Sequence, residues 1–441
     1  MAHSIGPLKL ADGVLPRHVY TYFFACFVSI GMFTYLTAMT PYILRVNLGL
    51  DQGSFGRVSG DLQFWHELVA LSVIGWWGAM SDRFGRRSIY IVGFAILVVA
   101  YSIYAFATSV PQLLAFRLLF AFGIAAISAL LSAVGADYPA EESRGKFTGL
   151  SFLLNGLGAV IFFMFLTKLP EIYAGNGASE LWAGRYAYLT VASIALIASI
   201  VMFGLKPGRP DNVKANKKHV PVSTLMAEGF KAGRNPRIAV SYLSSLAARA
   251  DMAIITLFLI LWVQNASVGA GMSAAQAAAK AGMTVGIAQA IGIFWAPLFG
   301  VIADRIDRLS LLIFGFSLAA IGYFWIGTQE DILSTAAIPA LLCMGIGQSS
   351  TILAANVILG QEAPADIRGS AFGMQAVFGA IGILLLSSIG GRLYDTFGPH
   401  APFYTIAGAN GLVAVVGLIV RGNEIRTGSR NNREQTVPIS P

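Results

Sequence analysis

Charge is what this chain has least of. Of its 441 residues, 12% are Asp, Glu, Lys or Arg, about half the share of a soluble globular domain, while 56% are hydrophobic. That balance excludes a water-soluble fold and points to a polytopic membrane protein. Cysteine is nearly absent. Cys26 and Cys343 both fall inside apolar runs, so no disulfide framework is expected and both read as small buried hydrophobes. The polar segments hold no nucleotide-binding loop, metal-ligand spacing or nucleophile arrangement. An enzyme is therefore not expected, nor a metal or cofactor. The formal net charge of +8 suggests nucleic acid only until the basic residues are placed. Most fall in short connections between apolar runs, where they set topology and meet anionic lipid, so no nucleic-acid partner is expected.

What is present is a series of apolar runs near the ~20 residues that a helix needs to cross a bilayer core. Twelve spans are read, at about 19–43, 54–80, 88–107, 112–135, 147–167, 186–204, 238–263, 279–299, 309–327, 335–359, 370–389 and 401–420. The expected division is an N-terminal tail (1–18), a six-helix bundle (19–204), a basic linker holding four prolines (205–237), a second six-helix bundle (238–420) and a C-terminal tail (421–441). Lys9, Arg17 and His18 ahead of the first run imitate a secretion signal. The run is too long for one and lacks a small-residue cleavage site, so it reads as a retained span. Placing both termini in the cytoplasm puts 22 of the Lys and Arg residues on that side and six on the other. The expected location is the cell membrane, the inner one if the source is bacterial.

Between the second and third runs lies Gly78-Ala79-Met80-Ser81-Asp82-Arg83-Phe84-Gly85-Arg86-Arg87. Its partner in the second half is Gly300-Val301-Ile302-Ala303-Asp304-Arg305-Ile306-Asp307-Arg308, with Asp307 where the first copy has Gly85. Asp137-Tyr138-Pro139 with Arg144-Gly145 is echoed by Glu362-Ala363-Pro364 with Arg368-Gly369. Two motifs repeating at nearly one offset argue for a duplicated bundle with a pathway between the copies. The ten-residue run resembles the signature loop, G-x-x-x-D-R-x-G-R-R, of the major facilitator superfamily. The resemblance covers both halves and implies an all-α membrane fold of two pseudo-symmetric six-helix bundles. It further implies a gate in which Asp82 and Asp304 cap helices of the opposite half, helix 11 near Ser370 and helix 5 near Phe147. Arg86 would pair with Asp137, and Arg308 with Glu362. Arg83, Arg144, Arg305 and Arg368 complete the charged set. A carboxylate at a helix amino end meets unpaired N–H groups and the positive end of the dipole, worth ~1 kcal/mol near water.

Polar residues inside spans are costly, so they are the functional candidates. Span 2 carries Asp61, His66 and Glu67, at about 0°, 140° and 240° around the helix, so one face cannot hold all three. Glu67 is the first choice for a proton carrier, with Asp61, His66 and Asp251 as the other candidates; the alternative is a neutral Glu67 bonded to His66 or to a neighbouring helix. Arg117 resembles the arginine of the family's fourth-helix motif, R-x-x-x-G, although Ala121 replaces the glycine. The family associates that arginine with proton coupling, which suggests Asp61 or Glu67 as its partner. Arg249 and Asp251 in span 7 lie about 200° apart. Ser241, Ser245 and Arg249 form one stripe, favouring Arg249 toward the pathway and Asp251 sideways, with the reverse nearly as good. Gln348 and Asn356 share one side of span 10, and Gln289 stands at the repeat position of Glu67. These amides would serve a substrate or hold helices together. Gly282, Gly286 and Ala290 let span 8 approach a neighbour closely.

The function expected is secondary active transport of a small solute by alternating access, coupled to protons, in a monomer. The intramembrane arginines tilt the substrate toward an organic anion. A drug/proton efflux antiporter is the runner-up, although Asn155-Gly156-Leu157-Gly158 in span 5 lacks the proline of the family's antiporter motif. A membrane sensor or scaffold that no longer transports is the reading from another class.

Overall fold

The computed structural model describes residues 4–208, 222–364 and 367–426, apart from the side chains of Val222, Ser223, Leu225 and Asp304. Twelve long helices organise it. They are α1 Pro16–Ala38, α2 Phe55–Phe84, α3 Arg86–Tyr104, α4 Val110–Asp137, α5 Arg144–Phe165, α6 Glu180–Val201, α7 Pro236–Ile254, α8 Ala274–Arg305, α9 Arg308–Gly327, α10 Ile338–Glu362, α11 Arg368–Phe397 and α12 Ala401–Arg426. α1 runs on through Thr40–Tyr42 into a π turn at Ile43–Asn47, and α7 through a π turn at Ile255–Leu259 into Ile260–Gly269. Eleven of these spans are long and apolar enough to cross a membrane. α2, at 30 residues, has the length, but Gln63, His66 and Glu67 lower its apolarity. The helices outrun the apolar stretches because backbone hydrogen bonding continues past the hydrocarbon edge into the interface.

Local chemistry sets the helix starts. The Ser109, Ser179 and Ser273 hydroxyls accept from backbone N–H groups in the first turns of α4, α6 and α8. Pro16, Pro111 and Pro236 occupy first-turn positions, where a missing N–H costs nothing. Pro41 withholds an N–H inside the continuation of α1. Nearby, the Ala38 carbonyl accepts from Gln264 of α7 at 2.9 Å, tying the two halves together beside this break.

The N-terminal tail is folded rather than free. Strands β1 (Ser4–Ile5) and β2 (Leu8–Lys9) form a small hairpin, and Leu10 bridges to Pro139 beyond α4. Ala11 N–H donates to the Tyr138 carbonyl at 2.9 Å, and Lys9 N–H to Ser143 Oγ at 2.8 Å. Tyr138 is buried here, which pushes its phenol up to about 12. Within the expected linker, a helix at Val222–Ala232 packs on α11 so closely that a Cβ on Gly229 would lie 2.4 Å from the Ser370 carbonyl. Residues 209–221 of that linker and the tail beyond Arg426 lie outside the described residues.

The halves meet chiefly through α2 against α11 and α5 against α8. Away from the signature loops, the two pairs touch backbone to backbone. A Cβ on Gly60 would lie 2.2 Å from the Ser387 carbonyl, and one on Gly282 would lie 2.3 Å from the Phe163 carbonyl. At the signature-loop end the same helices stand apart, and Gly75, Gly78, Gly369 and Gly373 would have nothing within 4 Å of an added Cβ. Gly145, Gly149 and Gly300 on the other pair are equally open. The seam is therefore sealed at one end and splayed at the other.

Candidate functional site

Three groups of intramembrane polar residues emerge, and they differ in what surrounds them. The first is built on Arg117, which projects from α4 into the first bundle and is 1% exposed. Its guanidinium donates to Gln63 Oε1 at 2.7 Å, Thr40 Oγ1 at 3.3 Å and Thr37 Oγ1 at 3.4 Å. The expected acidic partner is not there. Asp61 is drawn instead to Arg392 of α11 at 2.9 Å, at the sealed end of the seam, and Glu67 lies on another face of α2. An arginine keeps its charge even when buried, so neutral oxygens from α1 and α2 share the load. His66 is buried as well, between the rings of Phe33 and Phe120 and within electrostatic reach of Arg117. It belongs to this packed group and not to the seam.

The second group surrounds Asp251, which is fully buried inside the second bundle. Its carboxylate accepts from Asn410 of α12 at 2.7 Å and from Thr351 of α10 at 2.9 Å. Tyr323 of α9 donates to its backbone carbonyl at 3.2 Å. One residue of α7 thus gathers three helices. Ser241 and Ser245 do similar work. They donate to the Ala355 and Gln375 carbonyls at 3.0 Å each, while Gln375 Nε2 returns bonds to Ser241 and Ala355. The hydroxyl stripe that aims Arg249 outward is itself interhelical glue, and Gln375, unnoticed in the sequence, completes it.

The third group is the seam pair. Arg249 is the most exposed residue of its turn in α7, with its stem against Gly379 of α11. Glu67, on α2 of the other half, is half-buried, and its carboxylate lies within electrostatic reach of that guanidinium. Among the described residues neither side chain has a hydrogen bond or an ion pair within 4 Å, and Glu67 is not bonded to His66. Gln289 on α8 is half-buried, Asn356 on α10 is exposed and Gln348 is buried, so the two amides of α10 do not share one environment.

The charged loops show different arrangements in the two halves. Arg86 bonds Asp137 at 3.1 Å, Asp82 at 2.7 Å and the Ser81 hydroxyl. The expected cap of α11 by Asp82 is not made, because α2 and α11 are apart at this end. Arg83 lies over the Phe84 ring, and Arg144 pairs with Glu141 at 2.9 Å on the surface. In the second half Glu362 accepts from Arg237 at 3.1 Å, a partner that the sequence did not suggest. Arg237 also holds Glu424 through two bonds of 2.8 Å and Asp307 at 3.4 Å. A guanidinium fork placed where four segments converge can hold several acids at once. Burial pushes Asp307 up, but Arg237 and bonds from Ser310 outweigh it and hold the carboxyl below its ordinary range. Arg305 is exposed and Arg368 donates to the Ala363 carbonyl at 3.3 Å. The Asp304 side chain lies outside the described residues.

Two six-helix bundles with signature loops at one end and a polar seam between them match a known family model, described as Major Facilitator Superfamily, over residues 21–385 and 333–441. This chain belongs to the Major Facilitator Superfamily. It is similar to magnetosome protein MamH of Paramagnetospirillum magneticum, 26% identical over 403 residues and 90% of each chain. Magnetosome protein MamZ of Magnetospirillum gryphiswaldense is 25% identical over 406 residues, covering 88% of this chain and 60% of MamZ. The crystal structure of the nucleoside transporter NupG superposes with a TM-score of 0.72 over 92% of this chain and 99% of NupG. At 14% identity that likeness establishes the fold alone. The chain is thus a multi-pass membrane protein of a transporter family, not an enzyme.

Proposed function

We propose that this chain is a secondary active transporter that moves a small organic anion by alternating access, with protons as the coupling ion. The observation that carries the reading is the seam pair. Arg117 and Asp251 are bonded within their own halves, whereas Glu67 and Arg249 stand on opposite halves within electrostatic reach of each other, with no hydrogen-bond partner among the described residues. A guanidinium held in a cavity open at one end suits an anionic solute, which it can grip with a fork of charge-assisted bonds. A carboxyl in the same cavity can take up a proton when its neighbouring cation is engaged elsewhere. The gate residues of the signature loops, with the Arg86–Asp137 pair among them, would reorganise as the splayed end closes. With both termini cytoplasmic, the conformer described here is the inward-facing one, and the protein works as a monomer in the cell membrane. Gln289 and Asn356 are the neutral groups available to a substrate along the seam.

The test is reconstitution into liposomes with an imposed pH gradient and a panel of radiolabelled organic acids, neutral metabolites and cationic dyes. Proton movement appearing with one anionic solute supports the reading. Proton movement with cationic dyes and not with acids would move the assignment to drug efflux. Movement of none of them would favour a protein that no longer transports.

A further inference from the structure

The end of α11 repeats the end of α2. Helix α2 closes on Gly78-Ala79-Met80-Ser81-Asp82-Arg83-Phe84-Gly85, and α11 on Gly391-Arg392-Leu393-Tyr394-Asp395-Thr396-Phe397-Gly398. Both read G-x-x-x-D-x-F-G. Both helices are 30 residues long, and both stop on a glycine in the left-handed region, Gly85 at φ 92° and Gly398 at φ 89°. α2 and α11 run side by side from opposite halves, so the two copies sit at opposite ends of the seam.

Their surroundings differ. Asp395 is engaged across the seam, where its two carboxylate oxygens accept from Gly56 N–H at 2.8 Å and Arg57 N–H at 2.7 Å. These are first-turn donors of α2, unpaired by the helix itself and at the positive end of its dipole. Gly391, the first glycine of this copy, makes the approach possible, since a Cβ there would lie 2.3 Å from the Gly56 carbonyl. The copy on α2 is disengaged. Asp82 is half exposed and tied to Arg86 of its own half, and a Cβ on Gly78 would meet nothing within 4 Å.

We infer that α2 and α11 form a reciprocal pair of latches, in which the terminal aspartate of each helix caps the first turn of the other. Each latch works at its own end of the membrane, and only one is engaged at a time. In this conformer Asp395 holds its end shut. When the helices rock, Asp395 lets go of Gly56 and Arg57 while Asp82 leaves Arg86 for the first turn of α11, from which the linker helix beside Ser370 must withdraw. Asp61 and Arg392 reinforce the first latch from an exposed position, where solvent weakens them. The inference rests on the alternating-access reading, and its test separates the two.

Spin labels report both ends at once. In a Cys26→Ser, Cys343→Ser background, one pair at Gln52→Cys and Thr396→Cys spans the latched end, and another at Ser88→Cys and Phe372→Cys spans the splayed end. Pulsed dipolar distances are recorded in liposomes with and without the transported solute. Asp395→Asn lowers the population closed at the first pair by roughly tenfold, the scale of losing charge-assisted bonds at a helix terminus. It also raises the population closed at the second pair. Asp82→Asn moves both populations the other way. Arg57→Pro, which deletes one donating N–H near a helix start, repeats the effect of Asp395→Asn, and Arg57→Ala does not. If solute shifts the distances and Asp395→Asn and Arg57→Pro do not, the latch is wrong and the carrier stands. If every variant gives one unchanging distribution with every solute, alternating access fails and the latch with it.

Discussion

Arg117 and Arg249 are both intramembrane arginines on helices that line a bundle, yet their surroundings are opposite. Arg117 is enclosed by its own half, where an amide and two hydroxyls accept from its two terminal nitrogens. Arg249 stands in the seam, packed at its stem and unbonded at its head among the described residues. The first arrangement is what a structural charge requires, because every donor left unpaired in a low-dielectric interior is expensive. The second leaves binding capacity open where a solute could use it. Intramembrane charge alone therefore does not mark a transport site; in the proposed reading, charge left unspent across a seam does.

Substitutions can separate the two roles. Arg117→Ala should have the largest effect, about 3 kcal/mol of lost stability, because it opens a void and strands Gln63 and two threonines. Thermal unfolding in detergent checks this, and Arg117→Lys should recover only part because it lacks the fork. Arg249→Ala should leave the unfolding midpoint within a degree or two while cutting uptake of the anionic solute roughly tenfold, the worth of one hydrogen bond to a charged group. Equal affinity for anionic and neutral analogues in that variant and wild type would remove the distinction. Asp251→Asn should be milder, about 1 kcal/mol, since an amide can still accept from Asn410 or Thr351 while one contact is lost. Its transport rate should stay near wild type. Smallest is Ser241→Ala, about 0.6 kcal/mol, the average for an interhelical hydrogen bond in membranes.

A pH effect sharpens the same contrast at the base of the second bundle. Asp307 is held below the ordinary carboxylate range in the folded protein. The stability it contributes is therefore present above the unfolded carboxyl pKa of about 3.9 and lost as pH falls through the lower folded value. Asp307→Asn should lower stability near neutrality and flatten the acid limb of the unfolding profile below about pH 4, so that the two profiles converge at low pH.

Much of this was legible in the residues because the bilayer punishes ambiguity. Apolar runs gave the spans, and the duplicated loops gave the two halves. The small residues Gly282 and Gly286 marked a face of α8 that does pack tightly, against α5. Periodicity gave angles around one helix but could not say which neighbour fills each angle. That is why Arg117, whose position suggests an acid, meets Gln63, and why Arg237 as a partner of Glu362 leaves no trace in the spacing. Ser241 and Ser245 read as pathway residues because hydroxyls serve a substrate and a neighbouring carbonyl equally well. The folded N-terminal hairpin left little signal, since two-residue strands have no period to detect. Nor could a single sequence say which end of the seam is shut, because both arrangements use the same residues.

The most direct measurement is solute-driven proton flux in liposomes, comparing wild type with Glu67→Gln. The account predicts that wild-type protein moves protons only with its anionic solute. In Glu67→Gln, downhill solute exchange should persist while the accompanying proton movement disappears. Unchanged proton movement per solute in Glu67→Gln would contradict the claim that the seam pair couples the two.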